Sequence, residues 1–73
     1  MMPETEAAAP GAALSARERE VLALLADGLT NNEIAARLVI NVNTVKFHLR
    51  HAYRKIGVHS RSRAMLWWLE QDD

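Results

Sequence analysis

Residues 42–56 read VNTVKFHLRHAYRKI, and the two faces of this segment differ sharply. Its apolar residues recur every three or four positions, which at about 100° per residue forms one stripe along an α-helix. They are Val45, Leu49, Ala52, Tyr53 and Ile56. The opposite face carries Asn43, Lys46, Phe47, Arg50 and Arg54. The segment therefore predicts an amphipathic helix, ended by Gly57, that rests on a core through one face and presents cations on the other.

A short helix is predicted immediately before this segment. Residues 30–33 read TNNE and match a capping box, in which the Thr30 hydroxyl accepts from the third helical amide while Glu33 reaches back to the Thr30 amide. Apolar residues follow at helical spacing as far as Leu38. Only residues 39–41 then separate the two helices, and Asn41 is a suitable N-cap for the second. Two helices joined by so tight a turn are typical of a helix-turn-helix, whose second helix enters the major groove of DNA.

Two further helices are predicted on either side of this pair. The first begins with a second capping box, SARE at residues 15–18, and ends at Gly28. The last has Ser60 as its N-cap and extends from Arg61 to about Gln71. Its apolar run AMLWWL, residues 64–69, surrounds the helix. A terminal helix in so small a domain buries only one face, so the remaining apolar face needs another partner.

Length and composition limit the chain to one small domain. It has 73 residues and no cysteine, so neither a disulfide nor a thiolate zinc site can reinforce its modest core. We expect an all-α fold, a four-helix bundle that contains a helix-turn-helix, over residues 14–73. Residues 1–13 lack apolar periodicity and are predicted to be a flexible tail or part of a linker. No apolar run is long enough to cross a membrane and no secretory signal is recognisable, so we expect a cytoplasmic protein.

The charges of the chain are unevenly distributed. Nine basic and nine acidic residues give a formal net charge of zero. No acidic residue lies between Glu33 and Glu70, whereas seven of the basic residues and all three histidines do. The basic residues are Arg37, Lys46, Arg50, Arg54, Lys55, Arg61 and Arg63. Such an asymmetry predicts a polyanionic partner better than the net charge does.

The outer face of residues 42–56 offers side chains that are suited to reading base pairs. Arg50 is a candidate for a bidentate contact with guanine, and Lys46 for a contact with a second base or a phosphate. Phe47 is either an isolated exposed aromatic residue or an apolar contact for a thymine methyl group. Asn43 is a further candidate base contact, and His48 and Arg54 are candidate phosphate contacts. For His48, plain exposure to solvent is the alternative.

Four stretches resemble, in this order, the LuxR/GerE-type DNA-binding domain: LSAREREVL (14–22), GLTNNEIA (28–35), NTVKFHL (43–49) and KIGVHSRSRA (55–64). The resemblance covers residues 14 to about 70. It implies a four-helix domain of a transcription regulator, either stand-alone or the effector domain of a response regulator. Such a domain would bind double-stranded DNA, dimerise through its last helix and have RNA polymerase as a further candidate partner. By position, the resemblance implies base contacts by Lys46, Phe47 and Arg50, and phosphate contacts by Thr30, Asn31, Asn32 and Thr44.

The apolar last helix supports two functional hypotheses. In the first, it is the dimer interface of a DNA-binding regulator, formed by Met65, Trp67, Trp68 and Leu69. In the second, the chain is a protein-interaction module that recruits a different partner protein through this helix. Because Trp67 and Trp68 are neighbours and project about 100° apart, we expect that both cannot face the same core.

Several other roles of polar residues are disfavoured. His48 and His51 lie three residues apart, but no carboxylate or thiol is near them in sequence, so no metal site is expected. Nothing groups a nucleophile, a base and an orienting acid, and there is no glycine-rich phosphate loop, so we expect no enzyme, no cofactor and no small-molecule substrate. Glu18 and Arg61 are expected to form a structural ion pair between the first and last helices, without contacting DNA.

Overall fold

Four helices make up the fold in the computed structural model, which describes residues 14–71. They are α1 (Ala16–Ala26), α2 (Asn31–Leu38), α3 (Val42–Ile56) and α4 (Arg61–Glu70). Within residues 14–71 there is no strand, and the predicted all-α four-helix fold is confirmed. The segment predicted to be a tail or linker, residues 1–13, lies outside the described residues. Across the described part of the chain, no helix is both long and apolar enough to cross a membrane.

Each helix begins where a side chain caps its first turn. Both predicted capping boxes are formed: Ser15 with Glu18 at 2.9 and 3.1 Å, and Thr30 with Glu33 at 2.8 and 3.1 Å. The Asn41 and Ser60 side chains cap α3 and α4 by accepting from backbone amides. Each such cap stabilises the helix by about 1 kcal/mol, because it satisfies an amide that has no partner within the helix.

The connection between α2 and α3 contains a strained residue. Val39 has φ 58° and ψ 50°, and its side chain is 87% exposed. The left-handed conformation costs an L-residue with a Cβ roughly 1–2 kcal/mol. The Ile40 amide donates to the Ala35 carbonyl at 3.0 Å, which closes the end of α2 and redirects the chain into α3. This turn sets the angle between α2 and α3.

The core lies where α1 crosses the other helices. α1 packs against α3 and α4, and α2 packs mainly against α3. The most deeply buried large side chains are Val21, Leu22, Leu25, Ile34 and Val45. The predicted inner stripe of α3 is confirmed: Val45, Leu49, Ala52 and Ile56 are buried, and Tyr53 packs against them while partly exposed. α3 is therefore anchored along its whole length by one face.

α4 meets the core differently from the sequence-based expectation. Trp67 and Trp68 are both partly buried and both pack against the core, so the expectation that they cannot both face it is wrong. The reason is that α4 contacts both α1 and α3, so that a wide arc of its surface is covered. The large apolar side chains that α4 leaves exposed are Leu66 and Leu69, at 53% and 58%.

The predicted ion pair between Glu18 and Arg61 is also wrong. Glu18 instead accepts from Lys55 Nζ at 2.8 Å, and its carboxylate is almost completely buried. Burial alone would raise the pKa of Glu18. The hydrogen bonds from Lys55 and the Ser15 amide, together with the charge of Lys55, outweigh burial and lower the pKa below its ordinary value. The pair links the first turn of α1 to the last turn of α3.

Candidate nucleic-acid interface

The outer face of α3 carries a row of cations. Lys46, Arg50 and Arg54 are exposed and follow one another at intervals of four residues, so the row extends about 12 Å along the helix. Among residues 14–71, the ion pairs are Arg17 with Glu20 and Lys55 with Glu18, so none of the three cations in the row has a carboxylate partner. Like charges at this spacing repel each other. An anion bound along the row would relieve that repulsion.

An aromatic side chain projects beside this row. The Phe47 side chain is 51% exposed, and its ring lies 4.3 Å from the ring of His51, centroid to centroid, at an interplanar angle of 46°. The His48 ring meets Phe47 edge-on at 5.6 Å. Phe47 is thus exposed on the cationic face but supported from two sides. The contact of His51 with Phe47 was missed from sequence, although their i,i+4 spacing on a helix could have indicated it.

The start of α2 adjoins the middle of α3. One surface cleft is lined by Thr30, Asn31 and Asn32 from the start of α2, Lys46 from α3, and Arg61 from α4. A neighbouring cleft contains Arg50 beside Asn31, Lys46 and Arg61. The fold therefore brings three of the predicted phosphate contacts together with two of the predicted base contacts. No carboxylate lines either cleft.

Some of the polar groups at the start of α2 already form hydrogen bonds within the domain. The Thr30 hydroxyl already accepts from the Glu33 amide at 3.1 Å, which leaves its hydrogen free to donate. Asn32 is exposed. Arg61 donates from Nη1 to Asn31 Oδ1 and from Nη2 to the Leu29 carbonyl oxygen, each at 2.8 Å. This role of Arg61 was not predicted from the sequence.

The remaining residues predicted to contact DNA or a second copy of the chain differ in their exposure to solvent. Asn43 is exposed on the first turn of α3, and Thr44 and His48 are partly buried. On α4, Met65 is partly buried like the two tryptophans, and Leu69 is exposed. Leu66 was not among the residues predicted for the dimer interface, although it is exposed. Its position in the apolar run of α4 was the available signal. Whether any of these side chains contacts DNA or a second copy of the chain stays a prediction.

Metal binding and hydrogen-bond donation by a phenol are two further chemistries relevant to this surface. Within residues 14–71, no group of three histidine, cysteine or acidic residues is placed to hold a metal ion. Tyr53, beside Arg61 in the second cleft, is partly buried. Burial raises its pKa, and the charge of Arg61 opposes that shift. At neutral pH the phenol is therefore protonated and can donate a hydrogen bond.

Comparisons with known proteins agree with this four-helix arrangement and its helix pair. The family described as "Bacterial regulatory proteins, luxR family" (GerE) matches residues 12–68. The transcriptional regulatory protein SgaR of Hyphomicrobium methylovorum is 55% identical over 56 residues, which is 77% of this chain and 26% of SgaR. The HTH-type transcriptional regulator GfsR of Streptomyces halstedii is 48% identical over 60 residues, covering 82% of this chain and 25% of GfsR.

A third relative is the nitrate/nitrite response regulator protein NarL of Escherichia coli. It is 46% identical over 54 residues, covering 74% of this chain and 25% of NarL. The chain thus spans about a quarter of the length of these curated relatives. Because the family match includes all four helices up to Trp68, it covers both the helix pair and the cationic face of α3. The chain therefore belongs to the luxR family of bacterial regulatory proteins, and residues 12–68 are its helix-turn-helix domain.

Proposed function

We propose that this domain binds double-stranded DNA sequence-specifically, as the DNA-binding part of a transcription regulator, by laying α3 in the major groove. One observation carries the proposal: Lys46, Arg50 and Arg54 form an exposed row without carboxylate partners in the described chain, on the face of α3 opposite its buried stripe. The major groove is about 12 Å wide, which matches the diameter of an α-helix with its side chains. Membership of a family of regulatory proteins supports a regulator over an enzyme.

Base contacts are assigned to four side chains of α3 between residues 43 and 50. Arg50 donates to guanine O6 and N7, Lys46 contacts a second base, and Phe47 packs against a thymine methyl group. Asn43 is the fourth base contact. The phosphates are contacted by Thr30, Asn31 and Asn32 at the start of α2, and by Thr44, His48 and Arg54 on α3. The amide groups at the start of α2 favour such an anion, because the helix dipole is positive there.

A homodimer would present two copies of α3 to two half-sites. The apolar surface of α4 supports such a contact: Leu66 and Leu69 are more than half exposed, and Met65, Trp67 and Trp68 are partly exposed beside them. Two half-sites read by such a dimer would lie about 34–36 Å apart, one turn of the double helix. RNA polymerase is a further partner proposed for the bound regulator, and the cytoplasm is the compartment in which it would act.

Selection of bound duplexes from a random pool, followed by titration of the selected duplex, tests DNA binding. We expect the logarithm of the affinity to fall with the logarithm of the salt concentration, with a slope of about −0.9 per neutralised phosphate. Arg50→Ala should weaken binding by about 1–3 kcal/mol and relax the preference at one base pair. Arg19→Ala is the matched control, because Arg19 is an exposed cation on α1. Binding that is insensitive to salt would contradict the proposal.

The exposed apolar face of α4 also favours the second candidate, a protein-interaction module. The two functions respond differently to substitution. If the chain is only an interaction module, Arg50→Ala leaves its function intact, while Leu69→Lys abolishes it. If it is a DNA-binding domain, Arg50→Ala weakens binding even to a single half-site, whereas Leu69→Lys leaves binding to that half-site unchanged. Selection separates the two functions first, because a module that binds only proteins selects no duplex. Titration of both variants with a selected duplex then checks the pattern expected of a DNA-binding domain.

A further inference from the structure

Arg61 connects the first turn of α4 to the start of α2. Its two hydrogen bonds, to Asn31 Oδ1 and to the Leu29 carbonyl oxygen, are both 2.8 Å long and partly buried. A guanidinium group presents its donors in one rigid plane. Two acceptors in that plane therefore fix the guanidinium, and the guanidinium fixes them in return.

The hydrogen bond from Arg61 also decides which polar atom of the Asn31 side chain can bond to another group. An asparagine amide accepts at its oxygen and donates at its nitrogen, whereas arginine has donors only. The oxygen of Asn31 must therefore face Arg61, and Nδ2 points away from the guanidinium. Among residues 14–71, Nδ2 of Asn31 has no acceptor. Asn31 lies in the same clefts as Lys46, so its free donor is at the cationic surface.

We propose that Arg61 is a positioning residue for DNA binding: it holds Asn31 so that Nδ2 donates to a backbone phosphate, and it does not contact DNA itself. The inference rests on the proposed function and deepens it by one residue. A phosphate oxygen accepts hydrogen bonds and donates none, so an asparagine turned the other way would present an oxygen to it and repel it. Arg61 fixes the orientation of the Asn31 amide in the free domain. The entropic cost of ordering this side chain is therefore not incurred when DNA binds.

The test uses the selected duplex and a double-mutant cycle. Arg61→Met and Asn31→Ala are each expected to weaken binding about tenfold, the loss of one hydrogen bond to a charged group. The double variant should bind no more weakly than the weaker single variant, because both changes remove the same contact. The matched control is Arg63→Met, which removes an equal charge from an exposed position on the same turn of α4.

The salt dependence separates positioning from direct contact. A cation that touches a phosphate contributes about 0.9 to the slope of log affinity against log salt, whereas a neutral amide contributes none. We expect the slope of Arg61→Met to equal that of Arg63→Met. A slope that falls by about 0.9 in Arg61→Met alone would show that Arg61 contacts a phosphate, and would overturn the proposal.

A third variant separates positioning from a role in folding alone. Asn31→Asp gives Arg61 a charged partner, so thermal unfolding should occur at the same or a higher temperature. The same change removes the donor and places a negative charge against the phosphate, so binding should fall more than in Asn31→Ala. Affinities that simply follow the melting temperatures would show that Arg61 acts only on folding.

Two outcomes distinguish this inference from the proposed function. If the wild-type domain selects no duplex, the proposed function and the positioning role both fail. If it binds in a salt-dependent manner but the losses of Arg61→Met and Asn31→Ala multiply to about a hundredfold, only the positioning role fails. Should Arg61→Met not fold, Arg61→Lys replaces it in the cycle, because lysine keeps the charge but cannot present the planar fork that holds both acceptors.

Discussion

Replacing Glu18 by alanine is expected to destabilise the domain much more than replacing Glu33. Both residues occupy the same position in a capping box, where Oε1 accepts from the amide of the N-cap residue at 2.9 and 2.8 Å, respectively. Glu18 is 6% exposed and pairs with Lys55, whereas Glu33 is exposed and has no ion pair among the described residues. The difference between the two substitutions therefore isolates the contact between α1 and α3.

The magnitudes follow from burial. Loss of the capping interaction in Glu33→Ala costs about 0.5–1 kcal/mol. Breaking a fully buried ion pair costs about 3–5 kcal/mol, but the Lys55 side chain is 33% exposed, so water screens it and about 1–2 kcal/mol is expected. Glu18→Ala should then cost about 1.5–3 kcal/mol in all. For a domain of this size that lowers the melting temperature by roughly 6–24 °C, against roughly 2–8 °C for Glu33→Ala.

Thermal unfolding followed by far-UV circular dichroism measures both shifts, and Glu18→Gln adds a pH test. The pKa of Glu18 is lowered in the folded state from an ordinary value of 4.5. The ionised Glu18 carboxylate therefore contributes its full stabilisation of the folded state above the ordinary pKa, and this stabilisation is lost as the pH falls through the folded pKa. The stability gap between the wild type and Glu18→Gln should be constant near about pH 7 and shrink below about pH 4.5. Equal losses for Glu18→Ala and Glu33→Ala, or a gap that does not change with pH, would refute the reasoning.

Three further variants test other parts of the structure. Val39→Asn should raise the free energy of unfolding by about 0.5–1 kcal/mol, because asparagine tolerates the left-handed conformation that strains valine. Urea unfolding should show a higher midpoint, and a lower midpoint would contradict the strain. Phe47→Ala should reduce the preference for thymine at one position of the selected duplex about 5-fold or more. A duplex with uracil at that position lacks the methyl group, so the wild type and the variant should bind it with equal affinity. Leu66→Lys combined with Leu69→Lys should abolish cooperative binding to two half-sites and leave binding to one half-site unchanged, as read from gel-shift titrations; cooperativity that survives would place the dimer contact elsewhere.

Local features of the sequence determined the helices of this protein. A capping box, an apolar repeat and a terminal glycine each act within about four residues along the chain. The beginnings of all four helices were therefore predictable from the residues near them, for example Ser15 for α1 and Asn41 for α3. The cationic face of α3 was predictable for the same reason, because side chains four residues apart must share a face of any helix.

Contacts between distant residues were decided only by the tertiary structure. Glu18 and Lys55 are 37 residues apart, and Arg61 and Asn31 are 30 apart. The sequence supplies several cations that could pair with Glu18, and only the angles at which α1, α3 and α4 cross decide which one comes within reach. The same angles let Trp67 and Trp68 both reach the core. They also place the start of α2 beside Lys46, so the cleft exists only in the packed domain.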